Sequence, residues 1–291
     1  MPVNVPKLVE KAYLRGADCI CLDLEDSVPF SEKVLARSFV RQSISSAGKG
    51  GRDVLVRINN SSKEALVEDL RASIWPGLAG LIIPKVESPE LVAQIGEQVG
   101  LLERERGIPL QSIGFWVVVE SSIGVKNVSD IASASKRIEF IGIGDEDLAL
   151  DLGITPTTEG TEFTYVKSKV IIAARAAGIT PLGLAGTLSD FRDLDGLRIS
   201  ALKAKNMGFK GAMAIHPTQI PILNEAFSPT AEQVSESREI VSLFDNANLE
   251  GRAAIQFQGK MIDVPVYERA RKTLELAKVI EEIDSAKRVI G

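Results

Sequence analysis

The 291-residue sequence holds one histidine, two cysteines and only 5% aromatic residues, and each scarcity removes a class of activity. A lone His216 cannot build a His-rich metal site, and any Ser–His or Cys–His nucleophile system would have to use it. No GxSxG elbow occurs to present such a nucleophile. Cys19 and Cys21 stand two apart in the run CICLDL, so on a strand they share one face and cannot bridge. They read as small apolar core residues in a reducing compartment. Few aromatics, no Lys/Arg-rich block and a formal net charge of −5 leave neither stacking platform nor basic footprint for nucleic acid. No run approaches the roughly 20 apolar residues of a membrane span, and the opening MPVNVPKLVEKA lacks the apolar core of a secretion signal. The expected location is cytoplasmic. Gly142 and Gly144 lack the third glycine of a dinucleotide fingerprint, and no GK[ST] phosphate loop is present.

What remains is the composition of an ordinary globule, 45% hydrophobic and 25% charged. The length suits either two domains or one α/β barrel of about 250 residues with an appendage. Short aliphatic runs at 19–24, 54–58, 80–83, 115–119, 139–143, 181–184 and 212–215 alternate with helical periods near 31–46, 63–74, 89–106, 124–135, 162–177 and 195–207. That alternation predicts parallel strands joined by crossover helices. Gly107, Gly178 and Gly208 stand where left-handed helix caps are needed. With no repeat or composition break, the expected architecture is a TIM (β/α)8 barrel over 1–228, followed over 229–291 by a helical extension or lid with helices near 230–248 and 265–289. A closed barrel needs eight strands and only seven runs are found. Ahead of the first run lies just an amphipathic stretch, 6–15, stopped by Gly16. The first strand is therefore predicted to be short or missing: a stub over 1–4, or a segment upstream of Met1.

Barrel enzymes draw their chemistry from the C-terminal ends of the strands. There the sequence sets Asp23, Glu25 and Asp26; Arg57 and Asn59; Lys85 and Glu87; Glu120; Asp145, Glu146 and Asp147; Asp190 and Asp193; and His216. Crowded carboxylates repel one another unless a cation sits among them. An oxygen-only donor set points to Mg²⁺, Mn²⁺ or Ca²⁺, with Glu120 and Asp147 the most suggestive pair because each follows a strongly apolar strand. The same residues would also serve as helix caps and loop ion pairs. Arg57 could grip a carboxylate with two parallel bonds or act as a structural ion pair. Lys85 could form a Schiff base, but the acidic ring would stabilise its ammonium. For His216 a structural role beside Pro217 is expected.

Taken together, these segments resemble the HpcH/HpaI aldolase, or citrate lyase beta-subunit-like, family, which includes malyl-CoA, citramalyl-CoA and citryl lyases. The resemblance rests on GADCICLDLEDSVPFSEK, LVRIN, LIIPKVES, VVVESSIGV, GIGDEDLALDLG, SDFRDLDGLR, GAMAIHPTQIPILNEAFSP and GKMIDVPVYERA, which occur in family order from about residue 2 to 275. It implies that Glu120 and Asp147 are Mg²⁺ ligands, with Mn²⁺ as the alternative ion. It implies that Arg57 holds the substrate's oxygen and carboxylate end, that Asp23, Glu25 and Asp26 orient the metal's waters, and that Asp263 is an acid/base delivered by a neighbouring subunit of a homotrimer. Lys11 matches a basic thioester-binding position, whereas Val5 stands where the family often has an arginine, and ESSIG replaces the usual ETAxG.

The implied reaction is a metal-assisted retro-aldol or Claisen-type cleavage of a short 3-hydroxyacyl thioester into an acetyl thioester and a 2-oxo acid. Two other outcomes of the same resemblance are a citrate lyase beta-like subunit that depends on an acyl-carrier partner, and malate-synthase-like thioester hydrolysis.

Overall fold

The structure, a computed structural model, describes every residue except 158, 188–189, 250–253 and 291, and the side chains of 286–290. Residue 189, which opens the SDFRDLDGLR motif, and residues 250–253 and 291 of the expected extension therefore lie outside the described residues. The chain divides into two compact units, Met1–Leu223 and Asn224–Gly291.

In the first unit six parallel strands lie side by side in chain order: β1 (Cys19–Asp23), β2 (Asp53–Arg57), β3 (Gly80–Ile83), β4 (Gly114–Val119), β5 (Ile138–Ile143) and β6 (Thr180–Leu182). Their aliphatic runs are covered on both faces, as parallel strands require. One face, with Ile20, Leu22, Val54, Val56, Leu81, Val117 and Val119, packs on helix residues such as Val40, Ile44, Leu70 and Ile95. The other face gathers Cys21, Leu55, Ile82, Trp116, Val118, Phe140 and Leu182 into a separate inner cluster. Side chains alternate along a strand, so the parity that turns Cys21, Leu55 and Val118 inward also turns Asp23, Arg57 and Glu120 inward, two residues nearer the C-terminal mouth.

The sheet's edges explain the strand count. At the N-terminus a single parallel bridge, Pro2 to Asp23, carries the first-strand position, with Val3 N–H donating to Asp23 O at 3.2 Å and Asp23 N–H to Met1 O at 2.8 Å. The first strand is thus a one-residue stub. At the other edge the predicted strand 212–215 is not formed. Lys210 N–H donates to Pro181 O at 3.0 Å, but Gly183 N–H goes to Gly211 O at 2.9 Å. A parallel ladder through Leu182 would need that second bond at Lys210 O. The one-residue slip ends the pairing beside Gly211, yet Met213 still packs on the inner cluster. The architecture is α/β and of the TIM type, with its seventh run in place but out of register.

Helices Lys33–Ala47, Lys63–Ser73, Pro89–Glu105, Ser122–Ala132, Thr164–Ala177 and Leu194–Met207 follow the predicted positions. Ser62, Ser88, Ser121 and Asp193 cap four of them by accepting backbone N–H bonds, which starts each helix close to its strand's mouth end. One helix was not foreseen: Asp145–Leu152, opened by three acidic residues suited to a helix N-terminus and stopped by Gly153 at φ 68°. At the opposite end of the barrel, just before β4 and β5, buried Glu103 and Arg137 pair at 2.6 and 2.8 Å. Glu103 also accepts from Gln111 and Ile113 N–H, and Arg137 donates to Ile113 O.

The second unit holds helix Ala231–Leu249, an antiparallel hairpin of β7 (Ile255–Phe257) and β8 (Lys260–Ile262), and helix Val264–Ile290. Ile240, Phe244, Phe257, Ile262 and Ala270 form its core. The extension is therefore not purely helical, as expected, but carries a hairpin. Its two-residue turn, Gln258–Gly259, has positive φ at both positions (46° and 78°), and Gln in the first is a weak turn signal.

Candidate active site

Asp23 and Arg57, paired in register on β1 and β2, form the base of the site. Arg57 donates from Nε to Asp23 Oδ1 at 2.8 Å and from Nη2 to Oδ2 at 2.6 Å. Asp23 accepts three more bonds, from Glu25 N–H at 2.9 Å, Ser27 N–H at 3.2 Å and Ser27 Oγ–H at 2.5 Å. Burial alone would raise its pKa; the hydrogen bonds and charge of Arg57 prevail and hold the carboxyl at about 2. The guanidinium is correspondingly shifted upward, burial notwithstanding, by its bonds to Asp23.

Around this pair stand four more carboxylates. Glu25 Oε2 lies 3.0 Å from Arg57 Nη1, an ion contact without hydrogen-bond alignment, and Asp26 lies 3.7 Å from the same nitrogen. Lys85 Nζ donates to Glu25 Oε1 at 2.9 Å and stands 3.8 Å from both Asp26 Oδ1 and Asp147 Oδ1. Lys85 has φ 54°, a left-handed conformation costing a non-glycine residue about 1–3 kcal/mol. In that conformation its main-chain N–H donates to Glu120 Oε2 at 2.8 Å. Burial, with repulsion from Asp147 and Glu25, pushes buried Glu120 up to about 7 against that bond. Burial also raises Glu25.

Several more residues shape the site, although the sequence assigned them no role in it. Lys33 Nζ donates to Leu24 O and Glu25 O, both at 2.6 Å, and to Asn59 Oδ1 at 2.9 Å. Asn59 Nδ2 in turn donates to Leu24 O and Asp69, each at 2.7 Å, which fixes the turn bearing Glu25 and Asp26. A Cβ on Gly144 would coincide with the Glu120 carboxylate, so a larger residue there would displace it. Asp145 pairs at 2.8 Å with Lys167, whose buried ammonium also donates to Ala185 O at 3.0 Å. Burial pushes Asp145 up to about 6 even so. Glycines before acidic residues, or lysines one helix away from them, are too common for sequence alone to have singled these out.

Other candidates lie apart from the ring or do local work. Asp193 caps the helix Leu194–Met207, Asp190 accepts from Arg192 N–H at 2.9 Å, and Glu87 accepts from Ser121 Oγ–H at 2.6 Å. His216 caps the short turn Pro217–Gln219 and stacks on Phe191 at 4.7 Å. Lys11 is exposed ahead of the turn Ala12–Arg15. Asp263, in the second unit, caps helix Val264–Ile290 by accepting from Val266 N–H at 3.3 Å.

The donor set suits one hard divalent cation. Among the described residues no group of three or more His, Cys, Asp or Glu side chains closes around a point. Glu120 and Asp147 are near enough for the charge of Asp147 to help raise Glu120, and Mg²⁺ commonly takes one or two carboxylates, filling its octahedron with water and substrate oxygen.

A TIM-type barrel that collects carboxylates, an arginine and a lysine at its strand ends defines an enzyme of the carbon–carbon lyase or aldolase type once its relatives are considered. The chain belongs to the HpcH/HpaI aldolase/citrate lyase family, whose sequence model matches residues 1–217. It is 30% identical over 285 residues to the citrate lyase subunit beta of Leuconostoc mesenteroides subsp. cremoris, covering 98% of this chain and 94% of that one. To the L-malyl-CoA/beta-methylmalyl-CoA lyase of Cereibacter sphaeroides it is 31% identical over 299 residues, covering 96% and 93%. The crystal structure of the protein CitE from Mycobacterium tuberculosis in complex with magnesium, acetoacetate and coenzyme A superposes with a TM-score of 0.74 at 28% identity, covering 96% of each chain. No helix among the described residues is long and apolar enough to cross a membrane.

Proposed function

We propose that the protein is a Mg²⁺-dependent lyase that cleaves a short 3-hydroxyacyl-CoA thioester, of the malyl, citramalyl or citryl kind, into an acetyl thioester and a 2-oxo acid. The observation that carries this reading is that Glu120 and Asp147 both contact Lys85, one at its main-chain N–H (2.8 Å) and one at its ammonium (3.8 Å), beside Arg57 clamped on Asp23. Glu120 and Asp147 would hold the Mg²⁺, which when bound polarises the 2-oxo acid carbonyl and offsets the charge on its oxygen. Arg57, kept rigid by Asp23, would offer Nη1, which stands 3.0 Å from Glu25 Oε2 without an aligned hydrogen bond, to the substrate's carboxylate end. Asp23, Glu25 and Asp26 orient that guanidinium and the water around the ion. Cleavage passes the 3-hydroxyl proton to water at the mouth, breaks the bond between carbons 2 and 3 with its electron pair left on carbon 2, and returns a proton there from Asp263, which would be reprotonated from the same water. Because Asp263 lies in the second unit, a homo-oligomer, trimeric in this reading, would bring it to a neighbour's barrel, and exposed Lys11 would meet the thioester's phosphates. Free Cys19 and Cys21 suit the reducing cytoplasm.

The test is a panel of malyl-, citramalyl- and citryl-CoA with Mg²⁺, read as release of free 2-oxo acid. Release from at least one supports the lyase. The likeness to a citrate lyase beta subunit over 98% of the chain favours a second reading, a subunit that needs an acyl-carrier partner. Protein inert on all three thioesters but active once a carrier protein is added would establish that reading instead. Free CoA appearing without 2-oxo acid would indicate thioester hydrolysis.

A further inference from the structure

Lys85 meets the acidic ring through both its main chain and its side chain. The N–H holds Glu120 Oε2 at 2.8 Å, and the segment is pinned from behind by Asn60 Nδ2, which reaches the carbonyls of Pro84 and Lys85 at 3.3 Å. The ammonium could have stood in water, since its side chain is 42% exposed, yet it turns onto Glu25, Asp26 and Asp147. Charge explains the choice. Asp23, Glu25, Asp26, Glu120 and Asp147 confront Arg57 and Lys85; Arg57 is clamped on Asp23 with Glu25 3.0 Å away, and a third cation, Lys33, is engaged by the carbonyls of Leu24 and Glu25. Among the described residues the ion pair made by Asp147 is with Lys85.

Resting on the Mg²⁺ reading above, we propose that Lys85 is a positioning residue that acts as the site's built-in counter-ion. Its ammonium competes with the divalent cation for Asp147, while its main-chain N–H keeps Glu120 aimed at the shared position. When a divalent ion takes Asp147, the ammonium withdraws onto Glu25 and Asp26, its other partners, so Asp147 has a cation beside it in both states. The strained φ of 54° is then tied to function, because one residue must supply the N–H to Glu120 and the charge to Asp147.

The experiment is a calorimetric titration of MgCl2 into the intact protein and into Lys85→Met and Lys85→Gln, with circular dichroism to verify folding. Both substitutions leave the main-chain N–H in place and remove the charge. Competition predicts Mg²⁺ binding about tenfold tighter in either variant, since a positive neighbour of the ligand is gone. It also predicts a lower metal-free melting point that Mg²⁺ raises further than in the unmodified protein. Equal or weaker Mg²⁺ binding in a folded variant overturns the proposal, and a lowered melting point without tighter binding reduces Lys85 to a structural role. An unmodified protein that binds no Mg²⁺ overturns the metal reading and this inference with it, whereas normal binding there with no gain in the variants overturns the inference alone.

Discussion

Arg57 and Asp23 are joined by two parallel hydrogen bonds across adjacent strands, with Asp23 saturated from behind by Glu25 N–H and by both donors of Ser27. A planar guanidinium held this way cannot swing, so Nη1, which has Glu25 Oε2 3.0 Å away and no aligned hydrogen bond, keeps a fixed place before any substrate arrives.

That pairing makes stability depend on acid. With burial opposing it and the Arg57 bonds prevailing, Asp23 is held at about 2 in the folded protein, against about 3.9 in an unfolded chain. A carboxyl whose folded pKa is depressed stabilises the fold fully above its unfolded value and loses that contribution as pH falls through the folded one. The shift corresponds to about 2–3 kcal/mol. Urea denaturation of the unmodified protein and of Asp23→Asn should differ by about that much at pH 6 and converge between about pH 4 and pH 2. A difference unchanged at pH 2 would exclude the linkage.

The Glu103–Arg137 pair should behave as a stability element without bearing on turnover. Both side chains are buried at the end of the barrel away from the acid ring, and each is satisfied by further backbone bonds. Removing one partner strands the other charge, so Glu103→Ala is expected to cost about 3–5 kcal/mol in chemical denaturation. Below its own melting range the variant should keep kcat and KM. A large kcat loss in the folded variant would show that the two barrel ends are coupled.

Gly144→Ala tests whether the position of Glu120 matters. The new Cβ would coincide with the Glu120 carboxylate, whose other oxygen is held by Lys85 N–H. The carboxylate must therefore move although no charge is changed. Mg²⁺ affinity is expected to fall about tenfold or more, as for metal sites whose ligands lose their orientation. Unaltered Mg²⁺ titration with normal circular dichroism would remove Glu120 from the metal site.

The inner-facing part of the site was legible in the sequence because strand parity and strand ends locate it: Asp23, Arg57 and Glu120 continue the pattern of Cys21, Leu55 and Val118. Lys33, Gly144 and Lys167 were not legible, since each acts across a distance that only the packed chain creates. The strand at 212–215 failed for a different reason. Its apolar run does pack inward through Met213, but a one-residue slip in hydrogen bonding beside β6 cannot be read from hydrophobicity. The hairpin was missed because Gln258 tolerates φ 46° without being a residue that advertises it. The resemblance to known lyases selected Asp263, where local sequence offers only a helix cap, and a helix cap is what its contacts display.

Asp263 can be assigned by separating the cap from the proton. Its side chain accepts from Val266 N–H at the start of the last helix, a task that asparagine performs as well as aspartate. Asp263→Asn should therefore keep the melting point and the Mg²⁺ affinity while lowering kcat by about 10²- to 10⁴-fold, the range for loss of a general acid–base. Asp263→Ala should lose both cap and turnover. If the residue reaches a neighbouring barrel, mixing Asp263→Asn subunits with Arg57→Ala subunits under exchange conditions should restore activity, because some barrels then pair an intact Arg57 with an intact Asp263. Full turnover in Asp263→Asn alone would leave the residue as a cap and return the search for the proton donor to the barrel itself.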